Sequence, residues 1–145
     1  RTAQMRQIQE ALYHLDTNFL ESDYRRLTTY VRTNTRGRGL LLLFTNFMAR
    51  TSLERQLPYL QTLARHHTLV VVFFENTELD ALLHAEAGSM EEVYAQTIAE
   101  KFANEQREII RELEQRGIHA VHTRPENLST DTINAYLELK ARGVV

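Results

Sequence analysis

Leu40-Leu41-Leu42-Leu43-Phe44 and Leu69-Val70-Val71-Val72-Phe73-Phe74 are the two stretches on which the fold turns. Each is continuously apolar, whereas a strand with one wet face alternates; unbroken runs of this kind belong to parallel strands covered on both faces. The second run is also rich in β-branched and aromatic side chains, which favour extended backbone. Between them Leu53, Leu57, Leu60 and Ala64 recur at helical spacing. Strand, helix and strand in that order read as a parallel pair joined by a crossover. Thr51 and Glu54 fit a capping box at the head of the intervening helix, and Pro58 inside it predicts a kink or a fresh start.

Toward the N-terminus, Met5, Ile8, Leu12 and Leu15 predict an amphipathic helix broken at Asp16 to Asn18. A second helix is expected to begin at Ser22 or Asp23, with Tyr24, Leu27 and Val31 on its apolar face and the glycines Gly37 and Gly39 stopping it. Toward the C-terminus, Asn76 or Thr77 caps a short helix through Leu79, Leu82 and Leu83. A long helix follows from Met90 to Arg116, striped by Val93, Tyr94, Ile98, Phe102, Ile109 and Leu113 and ended by Gly117. Ile118 to His122 form a third, shorter strand and Pro125 to Thr130 a loop. Thr130 or Asp131 caps a last helix whose inner face carries Ile133, Tyr136, Leu137 and the stem of Lys140. The expectation is an α/β fold in three layers: a short parallel sheet of three main strands with helices on both faces, in a single domain over 1–145. Two helices precede the first strand with no earlier strand to cover, and that strand is apolar enough to want neighbours on both sides. Further strands are therefore expected upstream, with 1–145 a fragment of a larger domain.

Composition narrows the function classes. A chain of 145 residues, 43% hydrophobic and 25% charged, can bury an ordinary globular core. A net charge of −2 offers no electrostatic footprint for nucleic acid or an anionic membrane. Without cysteine there are no disulfides, thiolate nucleophiles or cysteine-based zinc sites, which fits a reducing, cytoplasmic setting. The longest apolar run, Leu40 to Phe44, falls far short of the roughly 20 residues that cross a bilayer. The first residues lack the apolar segment of a secretory signal, so Asn127-Leu128-Ser129 is read as a chance sequon.

Ligands of open parallel sheets sit beyond the carboxyl ends of the strands. That edge holds Thr45, Asn46, Glu75, Asn76, Thr123 and Arg124. The residues read either as a polar rim around a site or as ordinary caps and solvated loops, the latter being the commoner use of Asn and Thr. His66-His67 are adjacent at a helix end and His119 and His122 lie three apart on a strand, so neither pair converges on a metal. Glu91-Glu92 and Glu112 with Glu114 lie on a solvated helix face. Gly37 and Gly39 precede a strand, where a phosphate loop would follow one, and no Ser or Thr sits in a nucleophile elbow.

Four strings carry a family resemblance in order and spacing: Leu40-Leu41-Leu42-Leu43-Phe44-Thr45-Asn46, Val70-Val71-Val72-Phe73-Phe74-Glu75-Asn76, Ala99-Glu100-Lys101-Phe102 and Tyr136-Leu137-Glu138-Leu139-Lys140-Ala141-Arg142-Gly143. Together they resemble the C-terminal part of the bacterial domain of unknown function 58 family, which has a von Willebrand factor A-like (Rossmann-like) fold. The last string is the most specific. The resemblance implies a membrane-anchored parent with this domain on the cytoplasmic side, genes beside MoxR-type AAA+ ATPases, and protein partners, such an ATPase among them. It also implies that these three strands are the fourth to sixth of an A-like sheet. Such domains commonly hold a divalent cation through Asp-x-Ser-x-Ser, a distant Thr and an Asp after the fourth strand. Only the last position maps here, and it is Asn46; no Asp-x-Ser-x-Ser occurs in the chain. A hard cation wants several oxygens, preferably anionic, so neither a metal nor a cofactor is expected.

The sequence thus points to a non-enzymatic protein-interaction module. The competing reading is a small-molecule-binding or hydrolytic α/β domain with its site at Thr45, Asn46, Asn76 and Arg124. An uncovered edge along Leu40 to Asn46 predicts self-association of the chain, most simply as a two-fold homodimer through this edge or the N-terminal helices.

Overall fold

Three strands, β1 (Leu40–Phe44), β2 (Thr68–Phe74) and β3 (His119–Thr123), lie side by side in chain order and run parallel. The computed structural model describes residues 2–14, 22–47, 49–84 and 88–145. Around the sheet are α1 (Thr2–Tyr13), α2 (Tyr24–Asn34), α3 (Arg50–His66), α4 (Thr77–His84), α5 (Met90–Gln115) and α6 (Leu128–Ala141), the last entered through a 3-10 turn at Pro125–Asn127. The architecture is the α/β parallel sheet with helices on both faces that the two apolar runs predict.

The strands all step one way, and right-handed crossovers then bring α3 and α5 to the same face. On that face Leu69, Val71 and Phe73 of β2 pack with Leu53, Leu57, Leu60 and Leu63 of α3, Ile109 and Leu113 of α5, and Tyr24 of α2. Among the described residues the opposite face receives one helix, α6, whose Leu139 and Leu128, with Val144 beyond it, pack on Val70, Val72 and Val121. Register pairs Leu42 with Val70 and Phe44 with Val72, so these β1 side chains project from the α6 face as well. There they stay exposed, Leu42 at 40% and Phe44 at 55%. The expectation that β1 is covered on both faces is therefore corrected: one helix spans β2 and β3 and leaves β1 half bare.

Local signals mostly hold. Asp23 caps α2, its carboxylate accepting from Arg26 N–H at 2.8 Å. Tyr24 is buried, and Leu27 and Val31 pack beside it. Helix α2 ends at Asn34, ahead of Gly37 and Gly39, with Thr35 N–H closing onto Val31 C=O at 2.9 Å. Gly117 ends α5 in the left-handed conformation, at φ 72°. A capping box that the sequence reading passed over, Ser89 with Glu92, opens α5.

Other details differ. Helix α3 starts at Arg50 behind Ala49, which places Thr51 inside the first turn, and Glu54 pairs instead with Arg50 at 3.0 Å. It continues through Pro58 as one element, with Leu63 buried and Ala64 only partly so. Helix α6 begins at Leu128 behind Asn127, so Thr130 and Asp131 lie in its first turn rather than at its cap. Its predicted inner residues point outward, Ile133 at 56% and Leu137 at 53% exposed, with Tyr136 also exposed under Lys140 at 5.8 Å. The inner face is Leu128 and Leu139, because α6 carries apolar residues on two sides and docks through only one.

The stripe of α5 is split the same way. Ile109 and Leu113 are buried, while Val93, Tyr94 and Ile98 are exposed. Helix α5 has 26 residues, about 39 Å at 1.5 Å per residue, whereas the 7-residue β2 spans about 23 Å. Its N-terminal half outruns the sheet. The described side chains of α1, Met5 and Ile8 among them, are exposed; Leu15 and the predicted break at 16–18 lie outside the described residues.

Candidate functional site

The carboxyl ends of the strands gather side chains from well-separated parts of the chain. Arg124, just beyond β3, donates from Nε to Glu75 Oε2 at 3.0 Å and from Nη2 to Asp80 Oδ2 at 2.8 Å. It thereby ties the end of β2 to the first turn of α4. Its hydrogen bond to Glu75 and the charges of Asp80 and Glu75 reinforce its protonation. Asn76 caps α4, its Oδ1 accepting from Glu78 N–H at 3.1 Å and Leu79 N–H at 3.2 Å.

His122 packs its ring on Phe73 at 5.0 Å and turns Nδ1 toward Glu75 Oε1 at 3.9 Å. Burial pulls its pKa below the usual histidine value, against the charge of Glu75 and a hydrogen bond with the Phe74 backbone. Thr123 is buried and donates its hydroxyl to Asp131 of α6, which explains why Asp131 is not a cap.

Four residues stand as the sequence-derived candidates. The structure brings Asn76 and Arg124 to one cleft of about 320 Å³ between α4, α5 and the ends of β2 and β3. Asn46 shares an adjoining depression with Asn76, Glu75 and Gln106. Thr45 stands apart. Its hydroxyl bonds that of Tyr24, and it borders a different hollow with Leu27 and Phe44. Burial raises the Tyr24 phenol above its usual pKa, opposed by this bond.

One residue of the cleft escaped the sequence reading. Gln106 of α5 is only 6% exposed, and its Nε2 donates to Phe47 C=O at 2.9 Å. Its Oε1 has no hydrogen-bond partner. The signal was present in the register: Phe102, Gln106, Ile109 and Leu113 follow at steps of four, three and four, so a glutamine occupies a core position of the α5 stripe.

The histidines do not converge. His67 is buried and accepts from Gly39 N–H at 3.3 Å, whereas His66 is exposed. Among the described residues no three His, Asp or Glu side chains are grouped to hold a metal ion, and no helix is long and apolar enough to cross a membrane. No family model, curated protein or solved structure matches the chain.

Proposed function

We propose that this chain is a non-enzymatic protein-interaction module, the C-terminal portion of a von Willebrand factor A-like domain. The observation that carries the reading is the open seam along β1. Thr45 N–H bonds Val72 C=O and Thr68 N–H bonds Gly39 C=O. Parallel strands alternate their bonding sides, so the backbone groups of Leu40, Leu42 and Phe44 face away from β2, where no strand pairs with them among the described residues. Leu42 and Phe44 also carry the exposed apolar side chains of the α6 face. No charge, proline or bulge protects this edge, the usual means by which proteins blunt one.

Topology supports the A-like reading independently of the family strings. A sheet whose strands step one way loads its crossovers onto one face. Doubly wound folds cover the other face by a second set of strands stepping the opposite way from a switch point. The bare region over β1 is where such a second set would join. Among the described rim residues, Asn76, Arg124 and Thr45 are engaged in caps, ion pairs and a hydroxyl pair, which favours contact over chemistry. The family setting makes the physiological partner a protein, a MoxR-type AAA+ ATPase by resemblance.

Residues 1–145 taken alone have a second copy of themselves to close the seam. An antiparallel pairing about a two-fold at Leu42 sets Leu42 against Leu42 and Phe44 against Leu40, matching apolar with apolar on the α6 face of both copies. A five-residue edge makes a small interface, so the dimer is weak. Sedimentation velocity from roughly 10 µM to 1 mM should show a rising dimer fraction that Leu42→Lys abolishes. A monomer throughout that range would overturn the self-association, and dimerisation indifferent to Leu42→Lys would move it off β1.

A further inference from the structure

We propose that the cleft between α4 and α5 is a binding site for a small hydrogen-bond-donating molecule with a flat apolar body, such as an aminated heteroaromatic. The site is separate from the β1 seam and does not rest on it. The cleft is of ligand size, about 320 Å³, and lies beyond the strand ends, where open parallel sheets bind ligands.

Its chemistry selects the class. Two buried atoms of its lining side chains have no hydrogen-bond partner, Gln106 Oε1 and His122 Nε2. The first is an acceptor by assignment, because the amide nitrogen of Gln106 is committed to Phe47 C=O. The second accepts in the neutral tautomer that keeps its proton on Nδ1, the nitrogen that faces the Glu75 carboxylate at 3.9 Å. Buried acceptors left unpaired are costly and uncommon, and a donor supplied by a ligand relieves them. The charged groups of the cleft agree. Glu75 and Asp80 line it; of its two cations, Arg124 is held by both carboxylates and Arg107 donates to Asn104 Oδ1 at 3.0 Å. A phosphate or carboxylate would meet acceptors and carboxylates; an amino or ring N–H group meets its complement. Phe102 supplies an aromatic wall for a flat body.

Access runs past α4. Both unpaired atoms are sealed from water in this structure. Helix α4 buries none of its own residues and is tied to the strand ends by the exposed Arg124–Asp80 pair. Exposed ion pairs are weak fastenings, so α4 is the wall that gives way when a ligand enters.

The test is titration of the ¹⁵N-labelled chain with adenine and with 2-aminobenzimidazole, with benzoate and inorganic phosphate as anionic controls. The aminated probes should shift the Gln106 side-chain amide and the amides of α4 at millimolar or lower concentration, and the anions should not. Gln106→Met should weaken binding by about tenfold, the factor for one lost hydrogen bond of ordinary strength. Should that variant fail to fold, Leu83→Arg, at a half-buried position of α4 lining the cleft, serves as the second block and should abolish the shifts. Absence of shifts with either aminated probe at roughly 10 mM, equal shifts with the anions, or binding unmoved by the folded variants overturns the proposal.

Discussion

The two faces of the sheet are made from the same residue types and end in opposite conditions. On one, α2, α3 and α5 enclose Leu69, Val71 and Phe73. On the other, α6 and Val144 just beyond it cover Val70, Val72 and Val121, and Leu42 and Phe44 of β1 face outward. The difference does not lie in hydrophobicity, since β1 is as apolar as β2. It lies in connection. Every crossover of a sheet that steps one way returns over the same face, so one side accumulates helices and the other receives only the helix that follows the last strand.

Substitutions of one residue type on opposite faces break this comparison most directly. Phe73 is sealed and Phe44 is exposed. Phe73→Ala should cost about 3–5 kcal/mol and Phe44→Ala under about 1 kcal/mol in urea unfolding. Similar losses for the two would mean that the α6 face is covered after all. A second pair sharpens the contrast within α6 itself. Leu139→Ala should cost about 2–4 kcal/mol, whereas Leu137→Ala, on the outer stripe, should stay within about 0.5 kcal/mol. The reverse order would show that α6 docks through the face that its apolar pattern predicts.

The cap of α2 ranks next, because this helix serves only the sealed face. Asp23→Ala removes the acceptor of Arg26 N–H and should lower stability by about 1 kcal/mol; no change in the unfolding midpoint would show that α2 is held by packing alone. Arg124→Gln loosens α4 without touching either face. The ion pairs are exposed, so the expected loss is small and diminishes with added salt. A large loss would mean that these pairs are far less screened than their exposure implies.

The smallest effect is pH-dependent. Burial lowers the His122 pKa in the folded chain below its ordinary 6.5. Between the two values the unfolded chain binds the proton and the folded chain does not, so stability falls as pH drops through about 6.5 and the loss levels off below the folded value. Glu75, close to Nδ1, moderates the effect. Comparing unfolding midpoints at pH 7.5 and 5.5, His122→Gln should lose less than the parent; an equal or greater loss would falsify this assignment.

Much of the fold was legible in local sequence. The two apolar runs place β1 and β2, helical spacing places the helices, and Asp23 and Asn76 identify themselves as caps because their acceptors serve N–H groups two or three residues ahead. The candidate site was legible only in part. Asn76 and Arg124 do share a cleft, but Thr45 sits with Tyr24 elsewhere. Gln106 was visible as a polar residue in an apolar register, yet its donation to Phe47, 59 positions away, was not.

By itself, then, the sequence determined which segments are strands and helices, because those depend on periods and caps that span a few residues. Only the tertiary structure decided which apolar stripes are inside. Ile133 and Leu137 lie outside while Leu139 lies inside, Val93 outside while Ile109 lies inside. An apolar residue is buried only where the sheet is wide enough and a neighbour comes back to meet it. Both conditions are set by strand order and crossover hand, which act over distances that no local pattern records.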